Sequence, residues 1–207
     1  MDVVVESLPE DLALKRAQLR LAQGAAPDAI LATNTSSLSV GSISEELDDP
    51  SRLVGAHYLN PPNAFAVMEL VPSKHSDPAL VDRMEQILVS LGRRPVRLLS
   101  DTPGFVLNRL QMALLREAGE LVDQGVATPE AVDRLMTEGL GRRWAAVGPF
   151  ETIALGGEDT FRRVAVNIYP ELSTNVEPPE SISRLGLDAV QVEAVARRRD
   201  DILRLFS

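Results

Sequence analysis

The strand-like runs of this chain stop at one place. Up to residue 100, short apolar segments alternate with amphipathic ones; beyond the turn signal Asp101-Thr102-Pro103-Gly104 they do not recur. Val3-Val4-Val5 is a β-branched run of strand length. Pro9, Glu10 and Asp11 open a helix, since proline is tolerated in a first turn and acids suit its positive end. It runs to about Gln23, with Gly24 as its stop. Further strands are expected over residues 28–33, 52–59, 65–71 and 95–99, with helices over 39–47 and 78–91. In the latter, Val81, Met84, Ile87 and Leu88 share a face and Gly92 ends the helix. Alternating strands and helices predict an α/β layer with a largely parallel sheet.

From Phe105 onward the pattern is almost wholly helical. One helix runs to Gln124, with Val106, Leu110, Ala113, Leu114, Ala118, Leu121 and Val122 apolar, and Gly125 stops it. Thr128 caps the next, with Pro129 at its first position, as far as Gly139. A loop containing Gly and Arg follows, then helices over 149–167 and 187–205, with 170–186 irregular. In the last, Val190, Val195, Ile202, Leu203 and Leu205 make an apolar face, for a second copy or for packing within the chain. The boundary falls near residue 100, between a sheet half (1–100) and a helical half (101–207).

Composition narrows the function. Of 207 residues 44 % are hydrophobic, enough for a buried core. A net charge of -9 argues against nucleic acid as partner, because phosphate binding needs clustered Lys and Arg. The absence of Cys excludes a disulfide framework and a thiolate zinc site, and fits a cytoplasmic protein. No apolar run reaches the roughly 18 residues of a membrane span, so no membrane partner is expected. Asp2-Val3-Val4-Val5-Glu6 is too short and too acidic for a signal peptide.

Of the two histidines, His75 lies in the polar connection Pro72-Ser73-Lys74-His75-Ser76-Asp77 and reads as a solvated loop residue. His57 stands late in a strand, just before Asn60-Pro61-Pro62. Open α/β sheets place their sites beyond the carboxyl ends of strands. A hydrogen-bonded structural histidine is the alternative. Glu69 interrupts the apolar run from Phe65 to Val71, where a carboxylate is costly unless paired. If the polar stretch from Asn60 to Asn63 lets the two strands lie side by side, Glu69 meets His57 and fixes its tautomer. Otherwise it faces water from an edge strand. Thr33-Asn34-Thr35-Ser36-Ser37 follows another strand and offers hydroxyls and an amide, or simply caps a helix. Asn108 lies in the first turn of the long helix, as a ligand or as a surface residue.

These strings occur in a familiar order. Asn34-Thr35-Ser36-Ser37-Leu38, Gly55-Ala56-His57-Tyr58-Leu59-Asn60-Pro61, Met68-Glu69-Leu70-Val71, Asp101 through Arg109 and Gly148-Pro149-Phe150-Glu151 resemble the 3-hydroxyacyl-CoA dehydrogenase family. The similarity covers residues 2 to about 160. It implies an α/β Rossmann-type NAD domain, incomplete and represented by its C-terminal part over 1–100. An all-α domain for substrate binding and dimerisation follows over 101–207. It implies an NAD-dependent oxidoreductase acting on a hydroxy acid or its CoA ester, as in fatty acid metabolism, and a homodimer. In that pattern His57 matches the catalytic base, Glu69 its acidic partner, and Ser36 and Asn108 the residues that hold substrate. Glu6 matches a position near the cofactor, Asn34 the loop beside the nicotinamide, and Asn60 the substrate-side loop after the base.

Two departures qualify the resemblance. No G-x-G-x-x-G occurs; Gly139-Leu140-Gly141-Arg142-Arg143-Trp144 lacks the third glycine and follows no strand. The Gly-rich turn and the ribose-reading acid would lie upstream of residue 1, and the expectation is that this chain alone does not bind NAD normally. The stretch from Gly139 to Pro149 is longer than in acyl-CoA members and is similar to the λ-crystallin, L-gulonate 3-dehydrogenase and carnitine dehydrogenase branch. Those relatives act on free hydroxy acids, whose carboxylate an Arg can pair bidentately; a solvated loop is the alternative. A truncated, inactive structural or dimerisation protein of the crystallin type remains the second reading of the whole.

Overall fold

The computed structural model describes residues 2–204. Among them is one five-stranded sheet in the order β1 (Val3–Glu6), β2 (Ile30–Thr33), β3 (Leu53–Tyr58), β4 (Val67–Pro72) and β5 (Arg94–Arg97). β1, β2 and β3 run parallel, β4 returns antiparallel to β3, and β5 is parallel to β4. The crossover helices are α1 (Leu12–Ala25), α2 (Val40–Ser44) and α3 (Pro78–Ser90).

Strand alternation gives the sheet two apolar faces. Ile30, Ala32, Val54, Ala56, Met68 and Leu70 pack under Val81, Met84 and Leu88 of α3. Burying each of those three α3 side chains is worth about 1.5–3 kcal/mol. Leu31, Leu53 and Val71 point the other way, against Leu19 of α1, Val40 and Ile43 of α2, and Phe105. His57 and Glu69 share the parity of Leu53 and Val71, and so lie on this second face. Gly55 is required there: a Cβ would stand 2.8 Å from Val40 and 2.9 Å from Val71.

Some local expectations need correcting. Pro9 and Glu10 lie ahead of α1, because the Asp11 carboxylate takes the Leu14 N–H at 2.9 Å and makes Asp11 the cap. Gly24 lies inside α1 rather than stopping it. His75 is half-buried rather than solvated, and its Nε2 is buried without a hydrogen-bond partner among the described residues.

The chain divides into two compact units, residues 1–109 with 189–207, and residues 110–188. The helix α4 (Leu107–Asp123) begins in the first. Asp101 is tied into that unit by Ser39 Oγ at 2.6 Å and Gly41 N at 2.7 Å. The second unit is helical. It contains α5 (Pro129–Leu135), α6 (Gly141–Ala146), α7 (Pro149–Gly156), α8 (Glu158–Ile168) and the short α9 (Glu180–Ser183), which falls in a stretch expected to be irregular. Where a loop was expected after Gly139 the chain stays helical: a π-helical turn, Met136–Leu140, runs straight into α6. Gly141 permits it, since a Cβ would lie 2.8 Å from the Met136 carbonyl oxygen. The helix expected over 149–167 is broken by Gly157, whose φ of 85° is in the left-handed region. The final helix is α10 (Ala189–Leu203); Leu205, assigned to it from sequence, lies outside the described residues. Among the described residues no helix is long and apolar enough to cross a membrane.

Candidate active site

Three parallel strands bring their carboxyl ends to one edge of the sheet. Glu6 of β1 is in register with Thr33 of β2, and Thr33 with Gly55 of β3. Beyond that edge lie the Asn34–Ser37 loop and the end of β3. Asn34 joins them, its Oδ1 accepting the Tyr58 N–H at 3.0 Å.

His57 and Glu69 are direct partners in the antiparallel β3–β4 register. Both are buried, and His57 Nδ1 meets Glu69 Oε2 at 2.8 Å. A carboxylate only accepts, so Nδ1 carries the proton and Nε2 is the open nitrogen of the neutral ring. Nε2 makes no hydrogen bond among the described residues. The other carboxylate oxygen, Oε1, accepts the backbone N–H groups of Val106 at 2.9 Å and Leu107 at 3.0 Å. Burial alone would raise the Glu69 pKa. The hydrogen bond from His57, those from Leu107 and Val106, and the positive charge His57 carries when protonated outweigh it and hold the carboxyl below its ordinary value.

Phe105 turns the chain into this arrangement. It is fully buried with φ of 51°, an uncommon conformation for a bulky residue, and its N–H reaches the Thr102 carbonyl at 2.9 Å. Its ring lies 5.5 Å from that of His57, centroid to centroid. The turn thus covers the imidazole and aims the next two N–H groups at Glu69. One residue on, Asn108 Nδ2 donates to the Ser36 carbonyl at 2.7 Å. Residues 106–108 therefore link the His57–Glu69 pair to the loop that carries Ser36.

Glu6 lies behind this edge rather than on it. Its buried carboxylate takes Lys15 Nζ at 2.9 and 3.2 Å, Thr33 Oγ1 at 2.6 Å, and the Leu8 N–H. Asn60 is exposed in the loop after β3. The expected cap role holds for Ser39, whose Oγ accepts the Ser42 N–H, while Ser37 Oγ donates to Glu10 at 3.0 Å. Sequence reasoning assigned no role to Lys15, Phe105 or the N–H groups of Val106 and Leu107. No spacing rule connects Lys15 to Glu6. Phe105 had one signal, its position after a Pro-Gly turn.

A Rossmann-type layer with a paired, buried imidazole at its strand ends, followed in sequence by a separate helical unit, defines the dinucleotide-dependent dehydrogenase class of fold. Residues 1–102 match the NAD binding domain of 3-hydroxyacyl-CoA dehydrogenase and residues 104–191 its C-terminal domain. The chain belongs to the 3-hydroxyacyl-CoA dehydrogenase family. It is 38 % identical over 202 residues to the lambda-crystallin homolog of Homo sapiens, covering 96 % of this chain and 63 % of that protein. To the L-carnitine dehydrogenase of Streptomyces griseus subsp. griseus it is 38 % identical over 192 residues, covering 90 % of this chain and 57 % of that one. The solved structure of a 5-formyl-3-hydroxy-2-methylpyridine 4-carboxylic acid 5-dehydrogenase, described as an NAD+ dependent dismutase, superposes with a TM-score of 0.89. It is 31 % identical, and the match covers 98 % of this chain and 71 % of that one. The crystallin and carnitine dehydrogenase relatives place the chain in the branch already suggested by residues 139–149.

Proposed function

We propose that this chain carries the base and substrate-side residues of an NAD-dependent dehydrogenase that oxidises the hydroxyl of a 3-hydroxy acid, with free acids preferred over CoA esters. The observation that carries the reading is the 2.8 Å bond between His57 Nδ1 and Glu69, which leaves Nε2 open at the strand-end edge. A secondary alcohol loses a proton from oxygen and a hydride from carbon. NAD, when bound, accepts the hydride. His57 Nε2 takes the proton, as a general base within reach of the hydroxyl can. Glu69 stabilises the resulting imidazolium, and the N–H groups of Val106 and Leu107 keep that carboxylate ionised and in place. Ser36, through its hydroxyl, and Asn108, through its Oδ1, are the proposed polar contacts for substrate, with Asn60 in the loop beyond.

The residues present fit one end of the dinucleotide only. Asn34 Nδ2 has no partner among the described residues and suits a carboxamide acceptor such as that of the nicotinamide. None of the positive-φ glycines, at 92, 104, 125, 157 and 186, follows β1, β2 or β3. Glu10 stands after β1, where an anionic pyrophosphate would be repelled. We assign no pyrophosphate contact to these residues.

The free-acid preference is supported by relatives named for L-carnitine and for a pyridine carboxylate. Exposed Phe150, Leu155, Val166 and Tyr169 of the helical unit support a second copy as its partner. The alternative, a structural role without turnover, is supported by the lambda-crystallin relatives.

The test is NADH formation by the chain joined to a Gly-rich strand–turn–helix segment of the dinucleotide-binding type. L-carnitine, L-gulonate and 3-hydroxybutyryl-CoA are offered side by side. Oxidation of a free acid is expected, with His57→Gln lowering kcat about 10²–10⁴-fold. Near-normal turnover by His57→Gln removes the base assignment, and activity on the CoA ester alone removes the free-acid preference. Calorimetry on the unjoined chain should show no saturable NADH binding.

A further inference from the structure

Glu10 stands just ahead of α1 but does not cap it, since Asp11 does. Its carboxylate instead reaches about 25 residues along the chain and takes donors from three successive positions. Oε2 accepts Thr35 Oγ1 at 2.7 Å and Ser37 Oγ at 3.0 Å, and Oε1 accepts the Ser36 N–H at 2.9 Å. On the other side of the same residue, the Ser36 carbonyl accepts Asn108 Nδ2 at 2.7 Å. The Ser36 main chain is therefore held at both ends, by an acid at the start of α1 and an amide at the start of α4. Its hydroxyl makes no hydrogen bond among the described residues.

That division has a physical logic. A serine in a turn commonly turns its hydroxyl back onto a neighbouring N–H or C=O. Here both backbone groups of Ser36 are already satisfied, and both neighbouring hydroxyls are spent on Glu10. We propose that Glu10 is the positioning residue for Ser36, fixing the Thr35–Ser37 turn so that the Ser36 hydroxyl is presented outward. The proposal rests on the reading above only in its last link, that this hydroxyl meets substrate. The charged groups recorded around Glu10 are Lys15, at 3.9 Å, and Glu6, which shares Lys15 at 2.9 Å; the turn has no titratable side chain. Burial raises the Glu10 pKa, but the bonds from Thr35, Ser36 and Ser37 and the Lys15 charge bring it below the ordinary value, so the acceptor is ionised at neutral pH.

The experiment compares Glu10→Gln, Glu10→Asp and Glu10→Ala by NMR on the whole chain, without ligand. In the unmodified protein the Ser36 amide resonance should titrate with one carboxylate, below the ordinary glutamate value. In Glu10→Gln that titration should vanish. In Glu10→Ala, Ser36 amide exchange should accelerate at least about tenfold, the scale of losing one hydrogen bond to a charged group. Glu10→Asp should restore it in part. The Leu107 amide, held by Glu69, serves as control and should not move. An unchanged Ser36 amide in Glu10→Ala overturns the proposal, as does equal acceleration at Leu107, which would report general loosening. If Glu10→Ala does not fold, loss or persistence of the titration in Glu10→Gln decides. In the joined, active form, Glu10→Gln should raise KM about tenfold or more, a larger change than in kcat. Absence of turnover in the unmodified form would defeat the functional reading, while the Ser36 result would stand on its own.

Discussion

His57 and Glu69 face each other across β3 and β4 in direct register, and the bond between them is one arm of a carboxylate whose other arm holds the start of α4. One side chain thus sets the imidazole tautomer and anchors the helix that carries Asn108. Removing its charge should therefore affect both chemistry and stability.

Glu69→Gln tests this. If the amide oxygen stays with Val106 and Leu107, the amide NH₂ faces His57 Nδ1 and forces the proton to Nε2, the wrong tautomer for a base. Nitrogen-15 shifts of the His57 ring should show the proton moving from Nδ1 to Nε2. Activity of the joined form should fall about 10²–10⁴-fold, and urea unfolding should show a loss of about 1–3 kcal/mol. An unchanged tautomer would overturn the assignment.

Acid should loosen the same link. The Glu69 pKa is lower folded than unfolded, so the unfolded chain binds the extra proton more readily. The stabilisation is complete above the unfolded glutamate value of about 4.3 and is lost as pH falls through the lower folded value. Glu10 acts in the same direction. Unfolding followed across this window should give a shallower pH dependence in Glu69→Gln than in the unmodified chain.

Lys15 and Glu6 form a buried ion pair with side-chain exposures of 0 % and 4 %. Lys15→Met leaves the carboxylate with only Thr33 Oγ1 and the Leu8 N–H. A loss of about 3–5 kcal/mol is expected. The double change Lys15→Met with Glu6→Gln should recover much of it, because no charge then remains buried. Equal losses in single and double variants, measured by urea unfolding, would contradict this.

Gly55 is a packing requirement beside the imidazole. In Gly55→Ala the new methyl meets Val40 at 2.8 Å and Val71 at 2.9 Å. Overpacking should cost about 1–3 kcal/mol. Val40→Ala, combined with it, should restore part of the loss, so that the two changes are not additive in thermal unfolding.

Much of this protein is legible along the chain because it rests on local rules. The alternation before residue 100 and its end at Asp101–Gly104 anticipated the sheet, its parallel start and the helical remainder, since strand and helix periods follow from backbone geometry. Proline and the caps Ser39 and Thr128 marked helix starts, because a cap satisfies nearby N–H groups. The stretch after Gly139 departed from those rules: it read as a loop, yet it is helical, and Gly141 is what allows the backbone of the π turn to come so close.

Motif order in the sequence by itself determined the family and nominated His57, Glu69, Ser36 and Asn108. Tertiary structure decided how they meet. A strand shifted by one residue turns every side chain to the other face, so whether Glu69 reached His57 or water depended on a register that spacing does not specify. Lys15 beneath Glu6, Glu10 across the chain at Ser36, and two backbone N–H groups on Glu69 are contacts between segments with no periodic relation to one another. For Glu6 and Glu69 they exist because burial leaves a carboxylate no water, and the folded chain must supply its donors from whatever segment lies nearest.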